Sequence, residues 1–146
     1  MTGIDVHFNM SDKLDYACRL LRKAVVQRGV RMVALAEPRT LAALDAALWA
    51  LAPSEFVAHC RHDAAPEVLA RSPVVLVPSC DVDLPHTDVL LNLGSGVPEG
   101  FERFGRVIDI VGDDEAERQA GRQRWVHYRD RGHAITRHDV GNRGNQ

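Results

Sequence analysis

The amino-acid sequence predicts a single α/β domain in which a mostly parallel or mixed central sheet is flanked by helices. Short apolar runs at residues 30–36, 74–77, 88–93 and 106–111 have the character of buried strands. Amphipathic segments with helical spacing stand among them, after residues 11, 40 and 114. The chain of 146 residues is 45% hydrophobic, enough for one core and within the size of one domain.

The elements follow in order. Ile4, Val6 and Phe8 alternate with Asp5, His7 and Asn9, the period-2 signature of a strand with one buried face. Ser11 offers an N-cap, and Leu14, Ala17, Cys18, Leu21 and Val25 then mark a helix that Gly29 stops. With the run at residues 30–36, this opening reads as a β-α-β unit. Glu37-Pro38-Arg39 breaks the strand. Thr40 can cap a second helix carried by Leu41, Leu44, Leu48 and Leu51 and ended before Pro53. Residues 56–59 read as a short strand, and residues 61–73, with Pro66 inside, as an exposed connection. After the strand at 74–77, a proline-containing loop, the strand at 88–93, a glycine-rich turn at 94–100 and the strand at 106–111 lead to the last helix. Gly132 ends that helix, residues 134–137 suggest a final edge strand, and residues 141–146 a flexible tail beyond a domain spanning 1–140.

A formal charge of −2 and a pI near 6.4 argue against a general nucleic-acid-binding chain. Basic character is local: Arg118, Arg122, Arg124, Arg129, Arg131 and Arg137 crowd one stretch. Cys18, Cys60 and Cys80 make an odd set without a CxxC pair, which indicates neither a disulfide framework nor a zinc site and suits a reducing cytoplasm. Neither an export signal nor a membrane span is expected.

The β-α-β opening invites a nucleotide, yet its first turn, Asn9-Met10-Ser11-Asp12, lacks the glycines that close backbone amides around a phosphate. The topology expected is therefore Rossmann-like without a nucleotide site. Gly94-Ser95-Gly96 reads as a tight turn rather than a ligand cradle. His59, Cys60 and His62 lack a second cluster at ligand spacing, so no metal is expected, and no catalytic motif is present. Neither enzymatic activity nor a cofactor is expected.

Residues 113–132, DDEAERQAGRQRWVHYRDRG, carry the strongest functional signal. Asp114 can cap, with Glu117 three residues on. Helical turning puts Arg118, Arg122, Trp125 and Arg129 on one outward stripe, with Ala116, Ala120, Gln123 and His127 as the packing side. Guanidinium groups beside an aromatic suit an acidic peptide ending in an apolar residue. Stacking on single-stranded DNA, or a small-molecule or nucleotide-binding α/β enzyme, are the alternatives. Trp49, one position beyond the leucine stripe of the second helix, and Phe56 either fill the core or form a second docking face.

Taken together these runs resemble the chi-subunit family of the bacterial DNA polymerase III holoenzyme. The similarity rests on the first strand and helix, Leu44-Asp45-Ala46-Ala47-Leu48-Trp49, Glu55-Phe56-Val57 with His59, Asn92-Leu93, Phe101, and Arg118-Gln119-Ala120-Gly121-Arg122-Gln123-Arg124-Trp125 with Tyr128. The resemblance implies a non-catalytic, cytoplasmic accessory protein of the clamp-loader assembly. It would bridge to single-stranded DNA-binding protein by docking that protein's acidic, phenylalanine-ended C-terminal tail on Arg118, Gln119, Arg122 and Trp125. It also implies a separate surface for the psi subunit, including Trp49 and Phe56, and only indirect contact with DNA. A position often lysine in the family is Val126 here, and Arg129 is the cation that would compensate.

Overall fold

The computed structural model describes the backbone of residues 2–143 and the side chains of residues 2–141. Its elements are β1 (Gly3–Met10), α1 (Lys13–Arg22) continued by a π-helical turn (Lys23–Gln27), β2 (Met32–Leu35), α2 (Pro38–Trp49), β3 (His59–Arg61), α3 (Pro66–Arg71), β4 (Val74–Val77), β5 (Val89–Asn92), β6 (Arg106–Gly112), α4 (Glu115–Asp130), β7 (Ile135–Asp139) and α5 (Val140–Arg143). All pairings are parallel, in the order β3-β4-β2-β5-β6-β1-β7. This is a single α/β domain of Rossmann-like arrangement.

Two apolar layers sandwich the sheet, because alternate residues of each strand point to opposite faces. On one face Met32, Ala34, Val74, Leu76, Leu91 and Ile110 pack with Leu21 of α1 and Leu41, Leu44 and Leu48 of α2. On the other, Ile4, Val6, Val33, Val75, Leu90, Val107 and Val111 pack with Phe101, Phe104 and Tyr128. Burial on both faces explains why the strands read as continuous apolar runs.

Several local expectations need correction. The expected β-α-β opening is present as β1-α1-β2, with β5 and β6 lying between its two strands in the sheet. Asp12, rather than Ser11, caps α1 by accepting from the Asp15 amide at 3.0 Å. Helix α2 starts at Pro38 and contains Thr40, because proline at the first helical turn gives up no needed donor. The same reason makes Pro66 the start of α3 inside the stretch expected to be a plain connection. The strand expected at 56–59 forms later, at His59–Arg61, after a 3-10 turn at Pro53–Glu55. The polar face of β1 is also partly covered: His7 is buried, its Nδ1 2.5 Å from the Tyr16 hydroxyl and its ring 4.6 Å from that of His138. The tail expected from residue 141 begins as α5, and residues 144–146 lie outside the described residues.

No helix among the described residues is long and apolar enough to cross a membrane. Nor does any group of three or more His, Cys, Asp or Glu among them stand where it could hold a metal ion. His59 points Nδ1 at the Val57 carbonyl (2.7 Å) and Nε2 at Asp45 (3.1 Å).

Candidate functional site

Helix α4 is fixed at its N-terminus by a two-part cap. The Asp114 carboxylate accepts from the Glu117 amide at 2.8 Å, and Glu117 accepts from the Gly112 amide at 3.0 Å and pairs with Lys13 at 2.9 Å. Both carboxylates also complement the positive end of the helix dipole. Past Asp130 the chain turns at Gly132, whose φ of 82° is a conformation that glycine adopts without strain. On either side of it, Arg131 and His133 both meet Glu102, at 2.6 and 2.9 Å. The Arg131 hydrogen bond, then that of His133, lowers the Glu102 pKa.

The face that α4 turns inward is not the small-residue side expected from the sequence. Ala116, Gln123 and His127 are exposed, Ala120 is half-buried, and the buried residues are Gly121, Arg124 and Tyr128. Arg124 forms an ion pair with Asp109 of β6 (2.8 Å) and also donates to the carbonyls of Ser95 (2.7 Å) and Ile110 (3.4 Å). The Asp109 carboxylate further accepts from Asn92 (2.7 Å) and Tyr128 (3.4 Å). Burial raises the Asp109 pKa, opposed by Arg124 and Asn92, and burial then Asp109 push the Tyr128 phenol well above its ordinary range. A buried charge pair is tolerable only when hydrogen bonds satisfy it in this way. Gly121 lets the helix sit close: a Cβ there would stand 2.9 Å from Val111.

Because α4 lies over β6 and the sheet continues through β1 to β7, a cleft of about 440 Å³ opens along its outer side. Val6 and Phe8 of β1, Val111 and Gly112 of β6, and Gly121 line it with apolar surface; Arg118, Arg122 and Trp125 come from α4, Arg137 from β7, and Asn9 from the end of β1. Asn9 has a φ of 73° at a bulge in the β1–β6 pairing, a left-handed conformation that asparagine tolerates better than most residues.

The sequence-predicted site residues divide accordingly. Arg118, Arg122 and Trp125 come together in the cleft, with both arginines exposed and Trp125 half-buried against the second core. Gln119 is exposed on α4 outside the lining. Arg129 also stands outside it, with its guanidinium 5.0 Å from the Trp125 ring and paired with Asp130 at 3.1 Å. Val126 is 40% exposed. Phe8, Val111 and Arg137 belong to the cleft but were not singled out. Phe8 and Val111 follow from strand alternation, whereas Arg137 needs the β1–β7 register.

Trp49 and Phe56 lie elsewhere. Trp49 is 62% exposed and Phe56 39%, their rings 5.3 Å apart, with His59 5.0 Å from Trp49. They form an aromatic patch at the surface, away from the cleft and from core filling.

At the carboxyl ends of β2, β4 and β5, where this fold class commonly takes ligands, a smaller crevice of about 260 Å³ is lined by Glu37, Asp81 and Glu99. Those carboxylates disfavour a phosphate. The Gly94 amide is spent on Asn92 (3.0 Å), and the Ser95 carbonyl on Arg124, which makes the glycine turn an internal brace.

The family model described as DNA polymerase III chi subunit, HolC, matches residues 1–136. A DNA polymerase III subunit chi from Pseudomonas aeruginosa is 30% identical over 145 residues, covering 94% of this chain and 96% of the relative. Another from Haemophilus influenzae is 29% identical over 98 residues, 67% of each chain. With its fold, its last helix and this match in hand, the chain belongs to the DNA polymerase III chi subunit family.

Proposed function

We propose that this protein is a non-catalytic, cytoplasmic accessory subunit that tethers the clamp-loader complex of DNA polymerase III to single-stranded DNA-binding protein. It does so by holding that protein's acidic C-terminal tail. The observation that carries this reading is the cleft beside α4, an apolar floor bounded by Trp125 with Arg118, Arg122 and Arg137 at its edges. Arginines attract the tail's carboxylates, and the floor between Trp125 and Phe8 takes its terminal phenylalanine. No covalent bond is made or broken. Contact with DNA is indirect, since the chain as a whole is acidic and one half-buried tryptophan is a poor stacking platform.

The Trp49–Phe56 patch supports a second, separate contact with the psi subunit or an equivalent component, because exposed neighbouring aromatics are costly to leave in water. Two surfaces on one small domain are what a bridge requires.

Titration of a synthetic Asp-rich peptide ending in phenylalanine tests the site. Saturable, salt-sensitive binding to the wild type is expected, weakened in Arg122→Ala and in Trp125→Ala. Undiminished binding in both variants, or none in the wild type, would sink the assignment. A bare single-stranded oligonucleotide that displaces the peptide at equal affinity would favour direct DNA binding instead.

A further inference from the structure

We infer that Asp45 and His59 are positioning residues for the second docking surface: a buried imidazole, gripped at both nitrogens, holds Trp49 and Phe56 as one prearranged aromatic plate. This rests on reading that patch as a docking surface.

Helix and strand geometry bring the parts together. Asp45 stands one turn before Trp49 on α2, and both side chains reach the same histidine. His59 opens β3, the edge strand, where pairing with Val74 fixes its backbone. Between them the chain leaves α2, makes the Pro53–Glu55 turn and passes through Phe56. Val57 then drops into the core with no exposed surface, which anchors the segment that carries Phe56.

The His59 side chain is fully buried, and its two nitrogens set its role. The Val57 carbonyl, 2.7 Å from Nδ1, can only accept, so Nδ1 donates; the Asp45 carboxylate, 3.1 Å from Nε2, is matched by a second N–H. Both bonds are made at once only by the ring that carries two protons. Through them His59 ties α2, the loop after it and β3 to one another. An aliphatic residue would fill the same space and leave the loop carbonyl and the carboxylate unmatched.

The ring is also the base on which the exposed aromatics rest. It lies 5.0 Å from the Trp49 ring and 6.0 Å from that of Phe56, and those two are 5.3 Å apart. Side chains as exposed as Trp49 and Phe56 would otherwise exchange rotamers freely, and ordering them at the moment of binding costs affinity. A plate set beforehand avoids that cost. Besides Asp45, the charged groups that the adjoining elements bring are Glu55, next to Phe56 and 3.6 Å from Arg22 of α1, and Arg61, exposed on β3.

The experiment reads the mobility of Trp49 in a Trp125→Phe background, where it is the single tryptophan. Time-resolved anisotropy gives the amplitude of its fast internal motion, and thermal melting reports folding. His59→Leu keeps the bulk and loses both hydrogen bonds, and Asp45→Ala removes one acceptor at a half-exposed position; each should raise that amplitude about twofold. Asp45→Asn keeps an acceptor oxygen for Nε2 and should restore most of the order. Raising the pH through the titration of the His59 ring, followed by its own NMR signals, should loosen Trp49 in the parent, because the neutral ring keeps one donor. His59→Leu should show no such step, and neither would a parent in which His59 only filled space. Unchanged Trp49 mobility in either folded variant, or a parent without the step, overturns the inference. None of these readouts involves a partner, so that result leaves psi docking standing, whereas a wild type that binds no psi subunit overturns the docking reading alone.

Discussion

Arg124 and Arg122 sit two residues apart on one helix and live in opposite environments. Arg124 is 2% exposed, with its charge cancelled by Asp109 and its donors spent on carbonyls of the core. Arg122 is exposed at the lip of an apolar cleft, its only ion-pair partner among the described residues a distant Glu115. The difference teaches that residue type alone does not assign a role in an arginine-rich helix. Buried, the guanidinium orders the helix against β6; exposed, the same group is available to a ligand. The inner network also supports the outer one, since it fixes the rotation that turns Arg118, Arg122 and Trp125 toward the cleft.

Removing one member of the buried pair should break the comparison most severely. Arg124→Ala leaves Asp109 uncompensated in the interior and is expected to cost about 3–5 kcal/mol in urea unfolding. Arg118→Ala and Arg122→Ala should each stay within about 0.5 kcal/mol of wild type. Comparable losses at all three positions would mean that the two environments do not differ as described.

Gly121→Ala probes how closely the helix is pressed to the sheet. Its Cβ would meet Val111 at 2.9 Å, so about 1–3 kcal/mol of destabilisation is expected, offset only in part by alanine's better helix propensity. A variant more stable than wild type would show that the helix can lift without cost.

Val126→Lys sharpens the outer half. A cation added on the exposed face beside Trp125 should strengthen peptide binding about two- to threefold at low salt, through faster association, and the gain should fade as salt rises. A salt-independent gain would point to packing.

The smallest effect concerns the far end of α4. The Glu102 carboxyl is lowered mainly by its hydrogen bond from Arg131, so its contribution is present above the ordinary carboxylate range and lost as pH falls through the folded value. Glu102→Gln should flatten that acid limb of the melting-temperature profile slightly.

Much of the fold was legible because buried parallel strands are apolar on both sides: β2, β4, β5 and β6 could each be read from their composition. What failed was local. Pro38 and Pro66 read as breaks, whereas each starts a helix at a position where no amide donor is missed. The inner face of α4 was misread because its central buried residue is a charged arginine, which periodicity assigns to solvent. The outward stripe at Arg118, Arg122 and Trp125 was legible from spacing. Its opposite wall was not, since Phe8 lies far from α4 in sequence and Arg137, just past the end of α4, reaches the cleft only through the pairing of β7 with β1.

The most direct test of the central claim is a residue-resolved one: 1H–15N shift mapping of the full chain during titration with the Asp-rich, phenylalanine-ended peptide. The largest changes are expected at the Trp125 indole and at the amides of Gly112, Arg118, Gly121, Arg122 and Arg137, with Trp49 and Phe56 unmoved. Changes centred on the Trp49–Phe56 patch, or on the crevice around Glu37 and Gly96, would contradict it.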